Sequence, residues 1–122
     1  MATMNQRVYL TEANEQHLEA LKGFSLEENQ LQYTSMPIPA YEKCLIDRNR
    51  LPVVIMGNGR VVGFFVLDQG EDVASYSANP YAILLRAFSV NLSEQGMGYG
   101  RASIGQLKPI VRDRFTECNE IV

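Results

Sequence analysis

Val90-Asn91-Leu92-Ser93-Glu94-Gln95-Gly96-Met97-Gly98-Tyr99-Gly100-Arg101 is the stretch on which the fold turns. Three glycines at every second position, between an apolar run and an amphipathic one, mark a sharp strand-to-helix turn. Glycine enters such turns without the steric cost a side chain imposes. A turn of this kind also presents successive main-chain N–H groups, which makes a concave site for a phosphate or diphosphate. Arg101, just inside the helix, adds a candidate charge-assisted contact. A P-loop needs Gly-Lys-Ser/Thr here, and the chain has Gly100-Arg101-Ala102. A dinucleotide turn needs G-x-G-x-x-G and an acid closing the next strand. The spacing is instead G-x-G-x-G, and Glu117 and Glu120 precede or open the next strand. A plain connector is the structural alternative.

Upstream, Tyr81–Val90 (YAILLRAFSV) is a nearly continuous apolar run and predicts a long central strand covered on both faces. Before it, PVVIM and RVVGFFVLD flank Gly57-Asn58-Gly59, which predicts an antiparallel hairpin. Gly70–Pro80 reads as a loop. Further back, Arg7–Leu10 predicts a short strand and Thr11–Lys22 a helix capped by Thr11, with Leu18 and Leu21 on one face and Gly23 ending it. Ser25 and Glu28 form a capping-box pattern for a second helix, Leu26–Tyr33. Met36-Pro37-Ile38-Pro39 reads as a link, and Tyr41–Arg50 as a third short helix with Cys44 and Leu45 inward. Downstream, Ile104, Leu107, Val111 and Phe115 recur at helical spacing. Pro109 predicts a kink there. Asn119–Val122 reads as the opening of another strand. The order β, α, α, ββ, β, glycine turn, α, β predicts an α/β (α+β) class with a mixed sheet in one domain, residues 1–122.

Composition narrows the function classes. The 122 residues are 46% hydrophobic and 20% charged, as in a folded globular domain. A net charge of −3 argues against a general nucleic-acid partner. No apolar run reaches the roughly 20 residues that span a bilayer. Cys44, Cys118 and the single His17 do not make a clustered zinc ligand set, so no metal is expected. The N-terminus lacks a signal-peptide core, and a cytoplasmic location with reduced thiols is the simplest expectation. His17 reads as a structural or surface residue, and Tyr33, Tyr41, Tyr76 and Tyr81 read as packing residues.

Gln95-Gly96-Met97-Gly98-Tyr99-Gly100 fits Gln/Arg-x-x-Gly-x-Gly/Ala without a gap, and Val90 closes the strand five residues before Gln95. This resembles the acetyl-CoA signature of the GNAT superfamily of N-acetyltransferases, and the element order is similar over nearly the whole chain. The resemblance implies acetyl-CoA as cosubstrate and transfer of its acetyl group to a primary amine of a small molecule. It places the coenzyme diphosphate on the amides of Gly96, Met97, Gly98, Tyr99, Gly100 and Arg101, with Gln95 opening the turn. It places the pantetheine arm beside Phe88, Ser89 and Val90, where recognition is by backbone. The first half is somewhat like bacterial polyamine acetyltransferases and would suit a cationic acceptor.

The catalytic residues stay unassigned. Glu27 and Glu28 are the candidates for a water-relayed base, followed by Asp68 and Glu71, and a solvated surface charge is the other reading of all four. The long strand carries Arg86 where some members place a Glu. The resemblance also implies a fold lacking the C-terminal strands and last helix, including the tyrosine that usually protonates the thiolate. The open strand edge then predicts a homodimer or strand exchange. A truncated, non-catalytic CoA-binding or dimerising remnant is the alternative to an active enzyme.

Overall fold

A computed structural model describes residues 7–26 and 36–122. Five strands form one sheet in chain order: β1 (Val8–Glu12), β2 (Arg50–Gly57), β3 (Arg60–Asp68), β4 (Ala82–Val90) and β5 (Glu120–Ile121). The first four are antiparallel neighbours, and β5 is parallel to β4. Helices α1 (Leu18–Lys22), α2 (Pro37–Ile46), α3 (Tyr99–Ile104) and α4 (Leu107–Arg114), with short 3-10 turns at Glu15–His17, Glu71–Ser75 and Leu92–Glu94, complete the described elements. The mixed α/β class and the hairpin are as the sequence implies.

The hairpin forms because Asn58 and Gly59 both adopt positive φ (52° and 82°), the backbone a two-residue turn demands. On β2 and β3, alternate residues serve two cores. Val53, Ile55, Phe65 and Leu67 pack with Tyr99, Leu107 and Val111 on one side. Val54, Phe64 and Val66 pack with Leu21, Phe24, Ala40 and Tyr41 on the other. A bulge sits between the cores' two halves: Ile55 pairs with Gly63 but Met56 with Val61, so Val62 is the extra residue and joins the side of Phe65.

Five local expectations are corrected. Thr11 and Glu12 lie in β1, because pairing with β2 runs to Glu12↔Val53. The cap is Asn14, whose side chain accepts the Gln16 N–H while His17 Nδ1 accepts the Asn14 N–H, both near 3 Å. His17 is thus structural. Met36–Pro39 is not a link: α2 starts at Pro37, since prolines in a first turn lack only N–H groups with no helical partner there. The face Pro37, Ala40, Tyr41 then turns inward, and Leu45 lies off it and is exposed. Arg50 belongs to β2 rather than to a helix. Finally, the last helical stretch breaks at Gly105–Gln106, and Pro109 falls in the first turn of α4, where its missing N–H disrupts no bond. The expected helix Leu26–Tyr33, with Glu27 and Glu28, lies outside the described residues.

Candidate functional site

The site begins with a second bulge. Phe64 pairs with Ser89 but Val66 with Arg86, so β4 carries one residue more than β3. The bend is at Ala87, whose φ of 55° is left-handed. Beyond it, Phe88 stacks on Phe65 with ring centroids 5.9 Å apart. Pairing of β4 with β5 runs through Ala82↔Glu120 and Ile83↔Ile121 to the Leu85 N–H donating to Val122 O at 3.0 Å, and β4 runs on to Val90.

After β4 the chain makes a 3-10 turn at Leu92–Glu94, held by Leu92 N–H to Ser25 O and by Ser25 N–H to Asn91 Oδ1, both 2.9 Å. Gln95 then donates from Nε2 to Val90 O at 2.9 Å, tying the turn back to the strand end. Gly96 (φ 80°) and Gly98 (φ 85°) are left-handed, and a Cβ on either would meet nothing within 4 Å. The result is a cleft of about 310 Å³ lined by Phe88, Ser89, Val90, Glu94, Gln95, Gly96, Gly98, Tyr99 and Gly100.

Among the described residues, the main-chain N–H groups of Gly96 through Arg101 donate to no protein acceptor. The first helical bond past the turn is Ala102 N–H to Gly98 O. Uncommitted donors around a cleft with open glycine faces fit an anion with several acceptor oxygens. With only six residues, α3 adds a small dipole, so the donors themselves are the main attraction.

The structure gathers Phe88, Ser89, Val90, Gln95, Gly96, Gly98, Tyr99 and Gly100 around this cleft. Met97 is 49% exposed at the turn, and Arg101 is exposed on α3; neither side chain lines it. Sequence reasoning missed three residues here. Glu94 lines the cleft, Arg60 pairs with it at 3.0 Å, and Asn58 Nδ2 donates to the Tyr99 hydroxyl at 3.3 Å. The Tyr99 ring is 1% exposed and lies so close to Gly57 that a Cβ there would come within 2.5 Å of Cε1. The Ser89 Oγ is buried with no hydrogen-bond partner.

Arg86 is committed elsewhere. Its Nη1 lies 2.9 Å from Asp68 and 2.8 Å from Asp72, and this pairing holds the Asp72 carboxyl below its usual range. Asp68 is buried, also accepts the Gly70 N–H at 2.7 Å, and is not a solvated surface charge. Burial pushes the Cys44 thiol up to about 11, so it is no nucleophile at neutral pH. No cluster of metal-ligating side chains occurs among the described residues, and no helix there is long and apolar enough to cross a membrane.

No family model matches the chain. The uncharacterized N-acetyltransferase YbbJ of Bacillus subtilis strain 168 is 35% identical over 120 residues, 98% of this chain and 75% of that protein. Among solved structures, the aminoglycoside N-acetyltransferase AAC(6')-Ib in complex with coenzyme A superposes with a TM-score of 0.68 at 17% identity, covering 94% of this chain and 72% of that one. AAC(6')-Iy with CoA gives a TM-score of 0.61 at 20% identity, covering 93% and 76%. A GNAT family acetyltransferase of Staphylococcus aureus gives 0.60 at 14%, covering 93% and 83%.

Proposed function

Since the chain belongs to the GNAT superfamily of N-acetyltransferases, we propose that it moves the acetyl group of acetyl-CoA to a primary amine of a small, polyamine-like molecule. The observation that carries this is the row of uncommitted amides from Gly96 to Arg101, in a cleft that continues onto the end of β4. The diphosphate takes the amides of Gly96, Met97, Gly98, Tyr99, Gly100 and Arg101, with Gln95 bracing the turn. The pantetheine arm lies along Phe88, Ser89 and Val90.

A main-chain N–H near Val90 polarises the thioester carbonyl. The neutral amine attacks, its N–C bond forms, the C–S bond breaks, and the thiolate leaves with a proton drawn from the medium. The ammonium proton released on attack passes through water to Glu27 or Glu28. The acidic net charge of −3 favours a cationic acceptor. Residues 1–122 act as one acetyl-CoA-binding domain in the cytoplasm, with both cysteines free as in the structure. A second copy pairs along the outer edge beside β5 to give a homodimer or exchanged strand, which light scattering at high concentration checks: a strict monomer removes it.

Calorimetry with CoA, followed by thiol release from acetyl-CoA with a panel of amines, tests the enzyme reading. Binding with turnover supports it; binding without turnover identifies a non-catalytic coenzyme-binding remnant; no binding rejects both. Gly98→Trp fills the open face of the turn and is expected to cut CoA affinity by at least about 100-fold, since a close-approach site tolerates no side chain. Unchanged affinity removes the turn from the site.

A further inference from the structure

We propose that Arg60, carried by the β2–β3 hairpin to the edge of this cleft and ion-paired there with Glu94, is a phosphate-binding residue. This rests on the coenzyme reading above. The cleft that offers bare amides to an anion is also lined by a carboxylate, Glu94, whose side chain is only 16% exposed. Alone, that charge would repel a diphosphate. Arg60 Nη2 sits 3.0 Å from Glu94 Oε1 and cancels it.

The hairpin that supplies Arg60 is anchored against the cleft wall by the buried Tyr99 hydroxyl accepting from Asn58, and by the close contact of Gly57 with the Tyr99 ring. The Arg60 side chain itself is 55% exposed. A fixed backbone with a solvated guanidinium lets the head group shift toward an incoming anion. Its five donors allow it to keep Glu94 and grip a phosphate oxygen together. The positive charge is local, because the chain as a whole is acidic. Neither Arg60 nor Arg101, the cation the motif suggests, is itself a lining residue, but Arg60 is tied to the cleft wall by its ion pair with Glu94, which is.

CoA binding measured by calorimetry at about 20 mM and 1 M NaCl, with the unaltered chain and Arg60→Ala, Arg60→Lys and Glu94→Gln, separates a phosphate contact from a purely structural clamp. We expect Arg60→Ala to bind CoA roughly five- to tenfold more weakly at low salt, and the deficit to shrink below about twofold at 1 M, where charge contacts at the surface are screened. Arg60→Lys retains part of the affinity, and Glu94→Gln binds more tightly than the unaltered chain. An unchanged Arg60→Ala, a deficit equal at both salts, or Glu94→Gln as weak as Arg60→Ala overturns the proposal. If the unaltered chain does not bind CoA, the coenzyme reading falls with it; if it binds and Arg60→Ala binds equally well, only the role of Arg60 falls.

Discussion

Gly57 shows how one missing side chain shapes the cleft. It lies at the end of β2, and the Tyr99 ring occupies the space a Cβ would take. Gly57→Ala therefore pushes on a ring that is buried in the core and on the cleft wall together. We expect a loss of about 1–3 kcal/mol in unfolding free energy, the usual cost of overpacking, with a parallel drop in CoA affinity. Urea titration and calorimetry check both, and a variant as stable as the parent would mean the ring moves aside freely. The sequence puts Gly57 in the hairpin connector, whereas it closes β2 opposite Arg60, and its partner Tyr99 was not legible. Tyr99 is 42 positions away, and only the sheet brings the two together. The same holds for Arg60 and Glu94, which carried no shared motif. By contrast, Gly96 and Gly98 were legible, since positive φ is a local demand that the sequence answers locally.

Among the elements, β4 departs most from its sequence pattern. YAILLRAFSV reads as unbroken extended strand, yet Ala87 is left-handed and the register against β3 slips by one. A valine in an ordinary strand position is mildly stabilising. At Ala87 the sign reverses: a β-branched side chain in the left-handed region costs about 2 kcal/mol. Chemical denaturation of Ala87→Val checks this, and a stabilised variant would show that the bend is not held at this residue. The bulge was invisible beforehand because it answers to pairing, not to composition. The hairpin was visible because Asn58-Gly59 specifies its own turn. The helix starts at Asn14 and Pro37 lie between. Their capping chemistry was in the sequence, but the extra length of β1 and the first-turn tolerance for proline decided which residue took the role.

At the scale of the molecule, a charged lattice clamps the end of the sheet away from the glycine turn. Arg50 on β2 lies 3.2 Å from Asp47 after α2, 3.7 Å from Asp68 on β3 and 3.6 Å from Asp72. Arg86 joins Asp68 and Asp72 from β4. The carboxylate of Asp68 is buried, so removing one partner leaves a poorly compensated charge. Arg86→Met is expected to cost roughly 2–4 kcal/mol, a large share of the ~5–15 kcal/mol typical of a domain. Adding Asp68→Asn should return part of it, because the stranded charge then disappears. Urea midpoints for the single and double variants measure this, and a single variant as stable as the parent would show that Arg50 alone suffices. The fold class followed from strand and helix order, whereas this lattice joins β2, β3, β4, the end of α2 and the turn after β3, and leaves no trace in local spacing.

The row of donors between Gly96 and Arg101 has one more practical consequence. Main-chain protons that no acceptor shields swap with deuterium quickly, while those inside β2 and β3 open only with larger unfolding events. The turn is thus its own reporter. A compound library could be screened by mass spectrometry for slowed labelling of one short peptide, and the coenzyme found with no knowledge of which amine the enzyme acetylates.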